Sequence, residues 1–322
     1  MARGWAAEHG LLVPLDGGTP ETPPDPGGGG GGGGVTPPPP GGTGMLVGAS
    51  VSRGRVAYDA IRATAGPWSM SRTYQKANFL STFAADAAGA DVGKVASVYS
   101  AKPPLAGMAS GAYDTLVEGW INSIPTGHPV FCCIWHEPDV KLRSTSGLDV
   151  PLWQSATSRF LDIVRSINKP HVYSQLIFTN WSLIGGVSKG VPDDFWLPAW
   201  AGKVDCVGWD LYDLHNTVTT SAHELKPCRD WCDGKGVAWG IAEIGIRAAV
   251  TDHTTAVTWT NDMFEYARTH GAGPHGSAAY FAMFDYAATA PNTPLPSGDA
   301  TWGTMSAAFS SAHYLPYTSF TL

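Results

Sequence analysis

The sequence is short of the features that mark several large classes of protein. No Cys-x-x-Cys pair occurs, and His136-Glu137 is not followed by a second histidine three residues on, so the common zinc signatures are missing. No Gly-x-Gly-x-x-Gly follows the first apolar run, where Gly48-Ala49-Ser50-Val51 stands instead, which removes the support for dinucleotide binding. The one Gly-x-Ser-x-Gly string, Gly186-Val187-Ser188-Lys189-Gly190, does not close a candidate strand, and no Cys/His nucleophile arrangement appears, so a barrel enzyme acting on peptide or ester bonds is a third-ranked reading. No run of Lys or Arg is present and the net charge is -7, which argues against nucleic acid or an anionic membrane as the main partner. No segment reaches the length of a membrane span. The longest early apolar stretch, Leu11-Leu12-Val13-Pro14-Leu15, is too short for a signal peptide, so export by a leader of its own is not expected.

What is present is a substantial apolar fraction, 43% of residues, with thirteen Trp and eleven Tyr. That is enough for a large core. The aromatic load suits either sugar-binding platforms or the filling between a barrel and its helices. The five cysteines, Cys132, Cys133, Cys206, Cys228 and Cys232, read as small buried hydrophobes. Cys228 and Cys232 lie one helical turn apart, near the upper limit of reach for a disulfide, and their pairing is left open. Neither a metal nor a cofactor is expected.

Composition divides the chain. Residues 16–44 are low-complexity, with eight consecutive glycines from Gly27 to Gly34 between proline-rich stretches, and read as a linker. Residues 1–15 are too few for a domain and read as a short attachment segment. From 45 to 322, apolar runs alternate with amphipathic stretches. Candidate strands are 45–51, 69–74, 94–100, 129–135, 171–178, 204–210, 237–242 and 277–284. Candidate helices are 56–64, 75–88, 113–124, 151–167, 222–234, 254–269 and 302–312, with a weak one at 193–200. Eight strands alternating with helices over this length predict a (β/α)8 TIM barrel, an open doubly wound sheet being the competitor.

Two short stretches about 100 residues apart carry the chemistry: Trp135-His136-Glu137-Pro138, and Trp239-Gly240-Ile241-Ala242-Glu243-Ile244-Gly245. Each follows or ends an apolar run of the composition of a buried parallel strand, so each glutamate is expected at a carboxyl-terminal strand end, after strands four and seven. A lone glutamate is usually a solvated loop residue; two at strand ends, each in a Gly/Pro/aromatic setting, favour a shared function.

This arrangement resembles the clan A glycoside hydrolases, in which an acid/base glutamate ends strand four and a nucleophile glutamate ends strand seven. His136-Glu137 and Ala242-Glu243-Ile244-Gly245 are most similar to glycoside hydrolase family 26, the β-mannanase type, whereas many other clan families have Asn before the acid/base residue. The resemblance spans roughly 45–317 and rests on short motifs. It implies that Glu137 is the acid/base, Glu243 the nucleophile, Tyr212 a hydrogen-bond partner of the nucleophile, and Arg72 a support for the same carboxylate. A retaining mechanism of this kind uses two carboxyls about 5 to 5.5 Å apart in different protonation states. Negative charge from Glu243 and an aromatic wall of Trp135 and Trp209 are expected to keep Glu137 protonated at the outset.

His136 either orients Glu137, contacts sugar or is structural. Lys102, in the Pro-rich loop after strand three, is placed to hold a sugar hydroxyl or a carboxylate, or is a solvated lysine. Asp210 and Asp285, ending strands six and eight, are hydroxyl-binding candidates, and Trp135, Asn180, Trp181, Trp209 and Trp302 are candidate substrate contacts. Asp139, Asp193 and Asp194 are expected at the surface.

The expected function is a retaining glycoside hydrolase, endo-acting on a polysaccharide such as a bacterial envelope glycan. A short segment, a Gly/Pro tether and a hydrolase-like domain also resemble the end of a minor tail protein of a phage of high-GC Gram-positive bacteria. That resemblance implies a virion protein acting at the host surface, with other tail proteins as partners of the N-terminal segment. The alternative is a non-catalytic glycan-binding or structural tail module on an enzyme-like barrel.

Overall fold

The computed structural model describes residues 44–51, 68–74, 79, 82–83, 96–127, 129–144, 149–185, 190–213, 219–246 and 253–285. The expected attachment segment, nearly all of the linker, helices 56–64 and 302–312, most of 75–88 and the candidate contact Trp302 lie outside the described residues.

Eight parallel strands form a closed barrel in chain order: β1 Leu46–Val51, β2 Met70–Tyr74, β3 Ala96–Ala101, β4 Val130–Ile134, β5 Val172–Thr179, β6 Cys206–Asp213, β7 Ala238–Ile246 and β8 Tyr280–Asp285. The eight candidate strands are all there, and closure is completed by β1 pairing with β8 from Leu46↔Tyr280 to Val51↔Asp285. The open-sheet competitor is thereby excluded.

Alternation along each strand sorts side chains into two layers. Leu46, Met70, Val98, Phe131, Ile177 and Tyr280 fill the barrel interior. Inside it, the Tyr280 hydroxyl donates to Gln175 Oε1 at 2.6 Å, and Gln175 Nε2 donates to the Phe131 carbonyl at 3.0 Å, so the buried polar groups answer one another. Room for Tyr280 comes from two glycines: a Cβ at Gly208 would lie 2.4 Å from its hydroxyl, and one at Gly240 2.7 Å from its ring.

The opposite faces pack against helices. Helix Val150–Ile167 shows why the sequence forms one: Asp149 accepts from Leu152 N at 2.8 Å as N-cap, Pro151 occupies the first turn, and Asn168 stops the helix in the left-handed region. Its buried residues Trp153, Ala156, Thr157, Phe160, Leu161 and Val164 recur at three and four, giving one apolar stripe toward the barrel.

Much of the aromatic load lies in this outer layer. Trp120, Trp153, Trp200, Trp209, Trp239 and Trp259 are among the largest fully buried side chains. Trp153 meets Trp200 and Phe195 edge-on, and Trp209 meets Trp231 in the same way, the geometry aromatic quadrupoles favour. The five cysteines are free and buried.

Candidate active site

β6 and β7 run past the expected ends and carry a register shift that shapes the site. Trp209 pairs with Ile241 and Asp210 pairs with Glu243, which leaves Ala242 as the extra residue of a bulge, repeated against β8. A bulge breaks the alternation, so Ala242 and Glu243 both turn inward. Glu243 therefore lies within β7 rather than after it, a correction to the expected boundary.

Glu243 is held from three sides. Tyr74 donates its hydroxyl to Oε1, Tyr212 donates to Oε2, and Arg72 Nη2 stands 3.7 Å from Oε1. Arg72 is itself buried, donates to Ser100 Oγ at 2.7 Å and lies 4.3 Å over the Tyr74 ring. Burial alone would lower the Arg72 pKa; Tyr74, Glu243 and Asp210 more than offset that and hold it above its ordinary value. Tyr74 was not singled out in the sequence. It sits two residues after Arg72 on β2, hence on the same face, and that spacing is the signal that points to it.

Asp210 is fully buried, and neither of its carboxyl oxygens has a hydrogen-bond partner among the described residues. Burial, then the charges of Glu243 and Glu137, push its pKa well up. Glu243 is also raised, by burial first; Arg72 opposes this, Glu137 adds to it, and the two phenol donors oppose it. The two carboxyls titrate as a pair. The shared proton belongs on Asp210, which has no donor, while Glu243 has two donors and a guanidinium to support its charge.

Glu137 arrives differently. β4 ends at Ile134, and Trp135 and Glu137 both take positive φ, 51° and 55°, in the turn that follows. Side chains pay strain there. The turn is pinned by Glu137 N donating to the Ile177 carbonyl at 2.8 Å and by Trp135 Nε1 donating to the Pro103 carbonyl at 2.5 Å. Asp139 completes the anchor: it accepts from Thr179 Oγ1 at 2.6 Å and from Thr179 N at 3.1 Å. Expected at the surface, Asp139 is instead wholly buried, because the turn folds it under β5, and burial pushes its carboxyl up to about 7. Asp193 and Asp194 are exposed as expected.

Lys141, four residues after Glu137 on helix Pro138–Ser144, places Nζ 2.7 Å from Glu137 Oε2 and also meets His136 Nε2. It too was missed; its signal is the i,i+4 spacing once a helix begins at Pro138. Burial and the cations Lys141, Arg72 and Lys102 push the His136 pKa well down, so the ring is neutral. Lys102 is exposed, its ammonium 4.6 Å over the Trp135 ring.

Trp209 and Asn180, two of the expected contacts, go elsewhere. Trp209 is adjacent to Asp210 and so faces the opposite way: it is fully buried against Phe178 and Trp231, with its indole N–H directed to Cys232 Sγ at 3.4 Å. It neither walls Glu137 nor offers a face to sugar. Asn180 is buried, donating to Glu224 Oε2. Trp181 begins helix Trp181–Ile184 and stays half-buried, and Asp285 closes β8. His136, Asp210 and Glu243 have donor atoms within 4.8 Å of one another, a grouping that a cation could use. Arg72 already supplies positive charge to it.

No protein-family model and no curated protein sequence matches the chain. Solved structures do match its fold. A modular endo-β-1,4-mannanase of glycoside hydrolase family 26 from Cellulomonas fimi is 14% identical with a TM-score of 0.56, over 86% of this chain and 73% of that one. A family 26 β-mannanase from Bacteroides ovatus is 10% identical with a TM-score of 0.54, over 84% and 89%. A plant β-glucan endohydrolase is 11% identical with a TM-score of 0.53, over 79% and 95%. The barrel is thus the fold of family 26 mannanases and other clan A glycoside hydrolases.

Proposed function

We propose that the protein is a retaining glycoside hydrolase, endo-acting on a polysaccharide. The observation that carries this reading is the Glu243 carboxylate, turned inward by a bulge and held by Tyr74, Tyr212 and Arg72 at the end of the barrel where Glu137 also stands.

In this mechanism Glu243 attacks the anomeric carbon as an anion, and a proton from Glu137 passes to the departing glycosidic oxygen. The covalent glycosyl-enzyme is then cut by water, whose proton returns to Glu137 as the bond to Glu243 breaks. A protonated Asp210 can donate to a sugar hydroxyl without adding charge beside the nucleophile, and neutral His136 can accept or donate to one. A module that only recognised sugar has no need of a buried carboxylate with two phenol donors, which favours the catalytic reading.

The tether of glycines and prolines supports a second element, that the barrel (residues 45–322) is carried on a larger assembly such as a phage tail and meets a host envelope glycan. The test is product release from mannans, arabinogalactan, peptidoglycan and actinobacterial wall extracts, with Glu243→Gln in parallel. Oligosaccharides from wild type alone, with the first-formed anomer retained by NMR, are the expected result. An inverted anomer overturns the double displacement, and glycan binding without any release returns the barrel to a recognition module.

A further inference from the structure

The mouth of the barrel carries two ammonium groups that the reaction just described does not use. Lys141 Nζ lies 2.7 Å from Glu137 Oε2. Lys102 extends from the loop after β3 over Trp135, the residue two before Glu137, and has no carboxylate partner among the described residues. The two ammoniums are close enough to oppose each other: after burial, repulsion from Lys141 is what lowers the Lys102 pKa, with Glu137 acting the other way. In a chain of net charge -7, a cationic pair beside the acid/base carboxyl runs against the general balance.

The placement of Lys141 poses a chemical problem. A general acid must reach the departing oxygen, and an ammonium at 2.7 Å already occupies Oε2 of this carboxyl. Something that draws Lys141 away on binding would free that oxygen for the glycosidic bond. Because Glu137 serves the departing oxygen, that group has to come from the sugar on the leaving side.

We propose that the substrate is an anionic glycan, whose carboxylate or phosphate on the leaving-side sugar is bound between Lys102 and Lys141. This rests on the glycosidase reading and narrows its substrate class. Recognition and release of the acid are then one event: the substrate's anion takes the lysine that is paired with Glu137. Arg72 does not compete for it, being buried beneath the nucleophile.

The experiment uses the full chain carrying Glu243→Gln and three oligosaccharides in calorimetry: one containing glucuronic acid, its carboxyl-reduced neutral counterpart, and one bearing glycerol phosphate. The expected result is tighter binding, by about tenfold or more, of a charged probe over the neutral one, weakened by added salt and lost in Lys102→Gln. Preference for the uronate or for the phosphate identifies the source of the anion. Lys102→Glu, at an exposed position that tolerates charge, should reverse the preference. Equal or tighter binding of the neutral probe overturns the proposal. Hydrolysis of the same probes by wild type separates the two readings: selective binding of the charged probe without cleavage keeps the anion site and removes the glycosidase, whereas cleavage of neutral glycans alone keeps the glycosidase and removes the anion site.

Discussion

Glu243 and Glu137 reach the same barrel mouth by opposite means. Glu243 sits inside a strand, 6% exposed, with both carboxyl oxygens taken by phenols and an arginine behind. Glu137 sits beyond a strand, 17% exposed, on a backbone in the left-handed region, and its Oε2 meets Lys141 Nζ at 2.7 Å and His136 Nε2 at 3.9 Å. The first is fixed by donors that β2 and β6 deliver to it. The second meets an ammonium from the helix that follows it. A nucleophile gains from a preset position, since reorganisation at the moment of attack adds to the barrier. A proton donor must change state twice per turnover.

The largest expected effect is on the rigid side. Glu243→Gln should lower turnover by roughly 10⁴-fold or more while leaving the thermal midpoint nearly unchanged, because an amide keeps the shape of the carboxylate. Residual activity near wild type would remove it from the nucleophile role. Glu137→Ala comes next, with losses of about 10² to 10⁴ on substrates with poor leaving groups and far smaller ones on activated aryl glycosides. Equal losses on both kinds of substrate would mean that it is not the acid.

The donors to Glu243 sharpen the contrast. Tyr74→Phe and Tyr212→Phe should each cost roughly ten- to a hundredfold in kcat/KM, as expected for one hydrogen bond to a charged group. Both hydrogen bonds lower the Glu243 pKa, so removing either should shift the acid limb of the pH profile to higher pH. An unshifted limb would show that the phenols only pack there.

The smallest effect concerns the turn that bears Glu137. Asp139 has a folded pKa raised to about 7 from an ordinary 3.8. Between those values the folded chain keeps a proton that the unfolded chain has released, so this group makes stability fall as pH rises across that window. Asp139→Asn keeps an acceptor for Thr179 and should flatten the dependence of the melting temperature between about pH 4 and 7. An unchanged slope would place the titration elsewhere.

The barrel was legible because apolar runs and amphipathic stretches alternate at a spacing set by strand and helix lengths, and eight repeats close. Arg72, His136, Glu137, Tyr212 and Glu243 were legible from short motifs, and the structure brings them together. Trp209 and Asp210 show where reading by strand end alone stops. As neighbours on one strand they cannot face the same way, so the tryptophan serves the helix layer and the aspartate the interior. The many tryptophans that suggested sugar platforms largely fill that outer layer instead. Asp139 was misread because a charge after a proline usually marks a surface loop, and only the fold of the turn under β5 supplied Thr179 as its partner.

The sequence by itself determined the eightfold alternation and put one glutamate in the carboxyl-terminal part of β7 and one just after β4, because periodicity and turn chemistry are local properties. Tertiary structure decided the rest. The bulge at Ala242, the approach of Tyr74 from β2 to Glu243 on β7, and the company of Lys102 and Lys141 at the mouth all depend on register between strands distant in the chain. Register is fixed only when the barrel closes and each residue's face is settled against its neighbours.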